Sequence, residues 1–187
     1  MVPLGNPGNK ENDIPMAATL HEILLAPDVE PAVGDDCYHL IGQELADKSG
    51  VSGTALKLAY KTVETFMPGH VEFMVRKLLP DMVDQLDPFW ADFRTSGGAE
   101  FGDYLTKRGD EVAEALLTVS DAQAAASGRP TVIRAYKSVR GNAGKHITAA
   151  LPRVGAVVQK YAGQQYAGLS EPAADLAGPT GYRARHE

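Results

Sequence analysis

The chain has 187 residues, 44% of them hydrophobic, which suits one globular domain with a core of ordinary size. Its single cysteine, Cys37, excludes an internal disulfide, and no apolar run approaches the roughly 20 residues that span a bilayer. The N-terminus lacks the basic and then apolar segments of a secretory signal. We therefore expect a cytoplasmic protein without a transmembrane segment.

The net charge of −6 is distributed unevenly along the chain. Residues 122–170 contain no Asp or Glu, whereas the chain before them carries 21 acidic residues against nine basic ones. The basic residues of this segment are Arg129, Arg134, Lys137, Arg140, Lys145, Arg153 and Lys160. Such a block is either a surface for an external anion or one half of an electrostatic match within the molecule. The sequence leaves both interpretations open.

The two ends of the chain differ in composition from its middle. Residues 1–16 contain three prolines and no periodic apolar pattern, and residues 163–187 are rich in Gly, Ala and Pro. Such segments bury too little apolar surface to fold by themselves. We expect a disordered leader over 1–16, a single helical domain over 17–162, and a disordered tail over 163–187.

Within 17–162, apolar residues recur every three or four positions, which predicts an all-α fold, a compact bundle of about seven or eight amphipathic helices. Thr19 is placed to cap a first short helix, and Pro31 falls in the first turn of a second. Ser52 or Thr54 is predicted to cap a third, which ends at Pro68.

Prolines and glycines divide the rest of the chain. A fourth helix is expected to bend or restart at Pro80 and again at Pro88, before a loop at 96–98. A short helix from Phe101 and a longer one through Val112 follow. Residues 127–130, Ser-Gly-Arg-Pro, predict the end of one helix and the start of the next, with Pro130 in its first turn. No segment alternates as a strand would.

A short segment occurs twice. Residues 59–63, Ala-Tyr-Lys-Thr-Val, reappear at 135–139 as Ala-Tyr-Lys-Ser-Val. Each copy is followed, beyond a glycine-containing break, by an amphipathic helix with a Leu-Pro pair. The pattern favours two diverged helix–break–helix repeats, although two short matches also arise by chance in helical, Ala-rich sequence.

These segments also carry a family resemblance. Residues 48–53 (Lys-Ser-Gly-Val-Ser-Gly), both Ala-Tyr-Lys segments, Leu78-Leu79-Pro80 and Ala150-Leu151-Pro152 together resemble a family of small actinobacterial proteins of unknown function. The resemblance covers about residues 17–162. It implies an α-helical fold and an intracellular setting, and it assigns no catalytic residue.

Residue patterns typical of catalysis or metal binding are scarce. No two of the five histidines stand three or four positions apart, as helical metal ligands usually do, so we expect no metal and no cofactor. The nearest approach is Asp36 with His39. Cys37 lies on the predicted apolar face, which favours a buried structural thiol over a nucleophile.

Residues 141–148 resemble the second half of a phosphate-binding P-loop. The first glycine of that motif would fall at Val139, and no strand precedes it, so a nucleotide site is excluded. A glycine-rich turn that leads into a helix would still offer free N–H groups to an anion between Arg140 and Lys145. The alternative is a plain turn between two helices with solvated cations.

Two sets of residues are candidates for an interaction site. The first, for an anion or a protein partner, is Arg129, Arg134, Lys137, Arg140 and Lys145. On a helical wheel its cations form a row beside the buried face, with no aromatic residue among them to stack on bases. The second is Phe89, Trp90 and Phe93, which we interpret as core residues or as a partly exposed aromatic anchor.

The function that this pattern favours is a non-catalytic, cytoplasmic interaction or scaffold protein. Its basic helical surface, about 129–160, would meet an acidic protein partner or a second copy of the chain. Binding of nucleic acid or of an anionic membrane by the same surface is the first alternative. The second is an enzyme, whose mark would be a pocket that gathers His39 or His70 with Asp36 or Glu72.

Overall fold

The computed structural model of the protein describes the backbone of residues 18–169 and, within it, all side chains except those of residues 52, 131–132, 135 and 164–169. These residues form seven helices and no strand, which confirms the predicted all-α bundle. The helices are α1 (Leu20–Leu24), α2 (Glu30–Asp47), α3 (Gly50–Phe66), α4 (His70–Ser96), α5 (Phe101–Lys107), α6 (Gly109–Ala126) and α7 (Pro130–Leu169). None of them is both long and apolar enough to span a bilayer.

Local sequence signals start and stop most of the helices. Thr19 caps α1 through a capping box with Glu22, and Pro31 lies in the first turn of α2, as predicted. Gly69 and Gly97 adopt left-handed conformations with φ of 75° and 70° at the two ends of α4. The predicted cap of α3 is wrong: Ser49 is its N-cap residue, because Gly50, at φ 73°, turns the chain just after it.

The long helices α4 and α7 form the frame of the bundle. Helix α1 lies across both of them, and its Leu20 N–H donates to Asp87 Oδ1 of α4 at 2.6 Å. Helix α5 crosses α7, α6 runs back along α7, and α2 packs between α4 and α7. The core between these elements contains fully buried side chains: Leu20, Leu24, Val33, Phe101, Leu105, Val112 and Leu151.

Helices α4 and α7 continue through the positions where the sequence predicted a bend, a restart or a turn. Helix α4 continues through Pro80 and Pro88, because the burial of Leu79, Val83 and Phe89 on one face outweighs the cost of an interior proline, about 3 kcal/mol. Helix α7 likewise continues through residues 141–144. The second predicted repeat is therefore one continuous helix, whereas the first is two helices separated at Pro68 and Gly69.

The first residues of the predicted tail are helical. Helix α7 continues beyond residue 162 and is described as far as Leu169. The predicted leader, 1–16, and the part of the predicted tail beyond 169 lie outside the described residues.

Candidate functional site

The basic residues of the 122–170 segment divide into two groups, of which the first is paired within the molecule. The Arg140 guanidinium donates to Asp121 Oδ1 at 3.0 Å and to Glu114 Oε2 at 2.9 Å, both on α6. Further along α7, Arg153 and Lys160 donate to acidic side chains of α2. Their acceptors are Glu44 and Asp47 for Arg153, and Asp36, at 2.6 Å, for Lys160.

These contacts alter the acidity of the carboxyl groups. The hydrogen bonds from Arg140 hold the pKa values of Asp121 and Glu114 below their ordinary values, and the Tyr136 hydroxyl, which donates to Asp121, adds to the effect there. The ammonium of Lys160 lowers the pKa of Asp36 in the same way. Part of the basic segment therefore serves to hold α7 against α6 and α2.

The lowered pKa values predict that acid destabilises the fold through these contacts. In the unfolded chain, Asp121 and Glu114 take up protons at their ordinary pKa values, 3.8 and 4.5, and in the folded protein they do so at lower pH. Their ion pairs with Arg140 therefore stabilise the fold fully above those ordinary values. This stabilisation is lost as the pH falls through the lower pKa values of the folded protein. We expect the melting temperature to fall between about pH 5 and pH 3, and to fall less in Arg140→Gln, which is already less stable at pH 7.

Arg134→Gln is the matched control for that series, because Arg134 is exposed and makes no ion pair with any described residue. Its melting temperature between pH 7 and pH 3 should follow that of the wild type. Parallel curves for the wild type and Arg140→Gln would contradict the role given to Arg140.

The second group consists of exposed cations at and near the N-terminal half of α7. Arg129, Arg134, Lys137 and Lys145 make no ion pair with any residue in the described part of the chain. At 100° per residue, Lys145 lies about 20° from Arg134 and Lys137 about 60° to the other side, with Arg134 and Lys145 about 16 Å apart along the helix. We call these four residues the α7 cation row.

The predicted glycine-rich turn for an anion does not exist. Gly141 and Gly144 lie inside α7, so the N–H groups of this stretch belong to the helix interior and are not free at a helix start. The stretch contains no proline, unlike the break at Pro68, and α7 packs on α6 here: Gly144 faces Leu117, and the Thr148 hydroxyl donates to the Gly109 carbonyl at 3.4 Å. The anion site that depended on this turn is excluded.

The aromatic candidates lie in the core. Phe89, Trp90 and Phe93 are each only 6% exposed, and the ring centroids of Trp90 and Phe93 lie 5.0 and 5.1 Å from that of Phe101. A partner cannot reach them in this conformation. The Trp90 Nε1 atom is buried and has no hydrogen-bond partner in the described part of the structure.

The described residues also bear on the catalytic alternatives. Burial raises the pKa of the Cys37 thiol to about 11, so it stays protonated and unreactive near neutral pH. Asp36 is held by Lys160 and Tyr161, and Glu72 accepts from Arg76. No group of three or more potential metal ligands occurs in the part of the chain that the structure describes.

The clefts on the surface of the described residues include one at α4 and α6 and one at α2, α3 and α7. One, of about 390 Å³, lies between α4 and α6 beside Asp81 and Asp84. The other, of about 320 Å³, is an apolar groove between α2, α3 and α7, next to Tyr60 and Ile147. Neither cleft is lined by His39, His70, Asp36 or Glu72, the residues that would mark an enzyme.

Sequence reasoning missed one surface, on α3. Val51, Leu58 and Phe66 are 91%, 65% and 80% exposed. Ala59, which lies on the same side of the helix as Phe66, is exposed as well. The signal was present in the sequence, because the apolar residues of 50–66 cover about 200° of the helix, twice the width of a single buried stripe.

The fold defines the class of this protein: an all-α helical bundle, one of whose long helices, α7, carries three exposed cations that make no ion pair with a described residue. The model of a family of unknown function (DUF6918) matches residues 20–162, and the chain belongs to that family. Comparisons with curated proteins and with solved structures find no match.

Proposed function

We propose that this is a non-catalytic interaction protein that binds an acidic protein partner through the α7 cation row. We place it in the cytoplasm of an actinobacterial cell, as the family resemblance implies. One observation supports the proposal: Arg140, Arg153 and Lys160 are used within the molecule, whereas Arg129, Arg134, Lys137 and Lys145 are exposed and unpaired among the described residues. Arg134, Lys137 and Lys145 lie along one side of α7, where like charges repel one another and an acidic surface would relieve that repulsion.

The form of the row favours a protein over a nucleic acid. Tyr136, the described aromatic residue nearest to the row, is half-buried and donates its hydroxyl to Asp121, so no ring stands among the cations to stack on bases. The row is also straight and about 16 Å long between Arg134 and Lys145. A partner helix with a carboxylate at every third or fourth position could place a row of carboxylates along that whole length.

The proposal is tested by fluorescence anisotropy with two labelled probes, an oligo-glutamate peptide and a mixed-sequence DNA duplex, at low and moderate salt. The wild-type protein should bind the peptide more tightly than the DNA. Arg134→Glu/Lys137→Glu should weaken peptide binding at least tenfold, because two attractions become repulsions. The matched control is Lys77→Glu/Lys107→Glu, which makes the same change in net charge at exposed lysines of α4 and α5.

Three results would overturn the proposal. Tighter binding of the DNA, with a steep loss of affinity in salt, would replace it with nucleic-acid binding. An equal loss in the control variant would mean that net charge, and not the row, attracts the peptide. If neither probe binds at low salt, the row is not an anion-binding surface.

A further inference from the structure

Helix α3 exposes a continuous apolar stripe to solvent. The stripe consists of Val51, Ala55, Leu58, Ala59, Thr62 and Phe66, and we call it the α3 outer stripe. At 100° per residue it covers about 100° of the helix surface. The charged residues of α3, which are Lys57, Lys61 and Glu64, all lie outside it. The Thr62 hydroxyl already donates to the Leu58 carbonyl at 2.8 Å, so the stripe carries no unsatisfied side-chain hydroxyl.

The side of α3 that packs on the bundle lies about 120° around the helix from the centre of the outer stripe. Leu56, Tyr60 and Val63 are half-buried there, and the Tyr60 hydroxyl lies 3.2 Å from that of Tyr38 on α2. The apolar residues of α3 therefore cover a continuous arc of about 200°, and its charged residues lie on the remaining surface. An apolar arc this wide is typically covered by neighbouring elements, but here only its inner part meets the rest of the described chain.

The spacing of the outer stripe is the same in both directions. Its positions follow one another at intervals of four, three, one, three and four residues. Two antiparallel copies of α3 related by a twofold axis between Leu58 and Ala59 would place Val51 opposite Phe66, and Leu58 opposite Ala59. Large side chains would then face small ones near the centre of the contact, and each copy would present the same patch, as a twofold interface requires.

We propose that two copies of the chain form a homodimer in which the α3 outer stripes pack against each other in this antiparallel arrangement. The size of the patch supports it. Residues 51–73 expose five large hydrophobic side chains: Val51, Leu58 and Phe66 of the stripe, and Met67 and Phe73, which follow it in the chain and are 49% and 60% exposed. If an aromatic side chain presents about 150–250 Å², they offer on the order of 600 Å² per copy, at the upper limit for an ordinary monomer and near the roughly 800 Å² per partner of a stable interface.

Charge also favours this face for a second copy. Each chain carries a net charge of −6, so two copies repel each other in general. The outer stripe is uncharged, so its burial would desolvate no ion. The α7 cation row takes no part in the contact, and the dimer is independent of the function proposed above: Arg134→Glu/Lys137→Glu should remain dimeric.

The oligomeric state of the full chain tests the proposal by sedimentation equilibrium at tens of micromolar protein. The wild type should be a dimer, and Leu58→Glu should raise the dimer dissociation constant at least 100-fold with unchanged helix content by circular dichroism. Val139→Glu is the matched control, because Val139 is a 51% exposed apolar residue on α7, away from the stripe, and this variant should stay dimeric. A monomeric wild type overturns the proposal, and so does a dimer that persists in Leu58→Glu.

The antiparallel arrangement has a separate test, in a Cys37→Ser background that removes the native thiol. Leu58→Cys should be joined to its copy by a short thiol–thiol cross-linker, because position 58 lies beside the twofold axis. Val51→Cys should not, because its two copies would lie about 22 Å apart along the helices. Cross-linking at both positions would show a parallel pair and overturn the arrangement.

Discussion

Gly155→Ala is expected to destabilise the protein by about 3 kcal/mol or more, because α5 and α7 cross with their backbones in contact at this glycine. A Cβ atom at position 155 would lie 2.2 Å from the Gly102 nitrogen and 2.3 Å from its Cα. These are backbone atoms of a packed helix, which cannot rotate aside as a side chain can. The helices would have to separate next to Phe101 and Leu151, both fully buried. Thermal unfolding followed by circular dichroism should show a melting temperature about 6–12 °C lower.

The matched control lies in the same helix. Gly141→Ala makes the same chemical change where no atom lies within 4 Å of the added Cβ. Alanine is favoured over glycine in a helix interior by roughly 0.5–1 kcal/mol, so this variant should melt slightly higher than the wild type. If Gly155→Ala is as stable as Gly141→Ala, α5 and α7 do not approach each other as described.

The sequence predicted the helices well where the signal was local. The capping box of Thr19 and Glu22, Pro31 in a first turn, and the Ser-Gly-Arg-Pro segment at 127–130 each mark a helix end within a few residues. Such signals depend on backbone groups and side chains close in sequence, which do not need the rest of the fold to act. The number of helices followed from them.

The sequence predicted helix ends wrongly where tertiary packing decides whether a helix continues. Pro80 and Pro88 weaken a helix locally, yet α4 runs through both because its apolar face is buried along its length. Residues 141–144 resemble a turn by composition, but α7 continues through them, where Gly144 faces Leu117 and Arg140 donates to Asp121, both on α6. Neither packing surface can be read from the local sequence.

The sequence shows which residues of the candidate site are basic, but not which of them form ion pairs within the molecule. The basic segment is visible as a run without acids, but Arg140 meets Asp121 from 19 residues away and Arg153 meets Glu44 from 109 residues away. Nothing in the local sequence distinguishes Arg140, which is paired, from Lys137, which is not. The close approach of Gly102 and Gly155 is hidden for the same reason, since it exists only once α5 lies on α7.

Phe101→Ala should have the other large effect, a loss of about 3–5 kcal/mol. The Phe101 ring is fully buried and lies edge-on to Trp90 with 5.0 Å between the ring centroids. Its removal forfeits the transfer free energy of the ring and leaves a cavity between α4, α5 and α7 that rigid helices fill only in part. The melting temperature should fall by about 6–20 °C.

Phe73→Ala is the control, because it removes the same atoms from a side chain that is 60% exposed on α4. Its free energy of unfolding should change by about 1 kcal/mol or less when measured on dilute protein, where self-association through the neighbouring α3 outer stripe contributes least. The comparison isolates burial as the cause, since the two variants differ in position and not in chemistry. Removal of the exposed Phe73 ring leaves no cavity. If the two variants lose similar free energies of unfolding, Phe101 is not buried and α5 does not close the core as described.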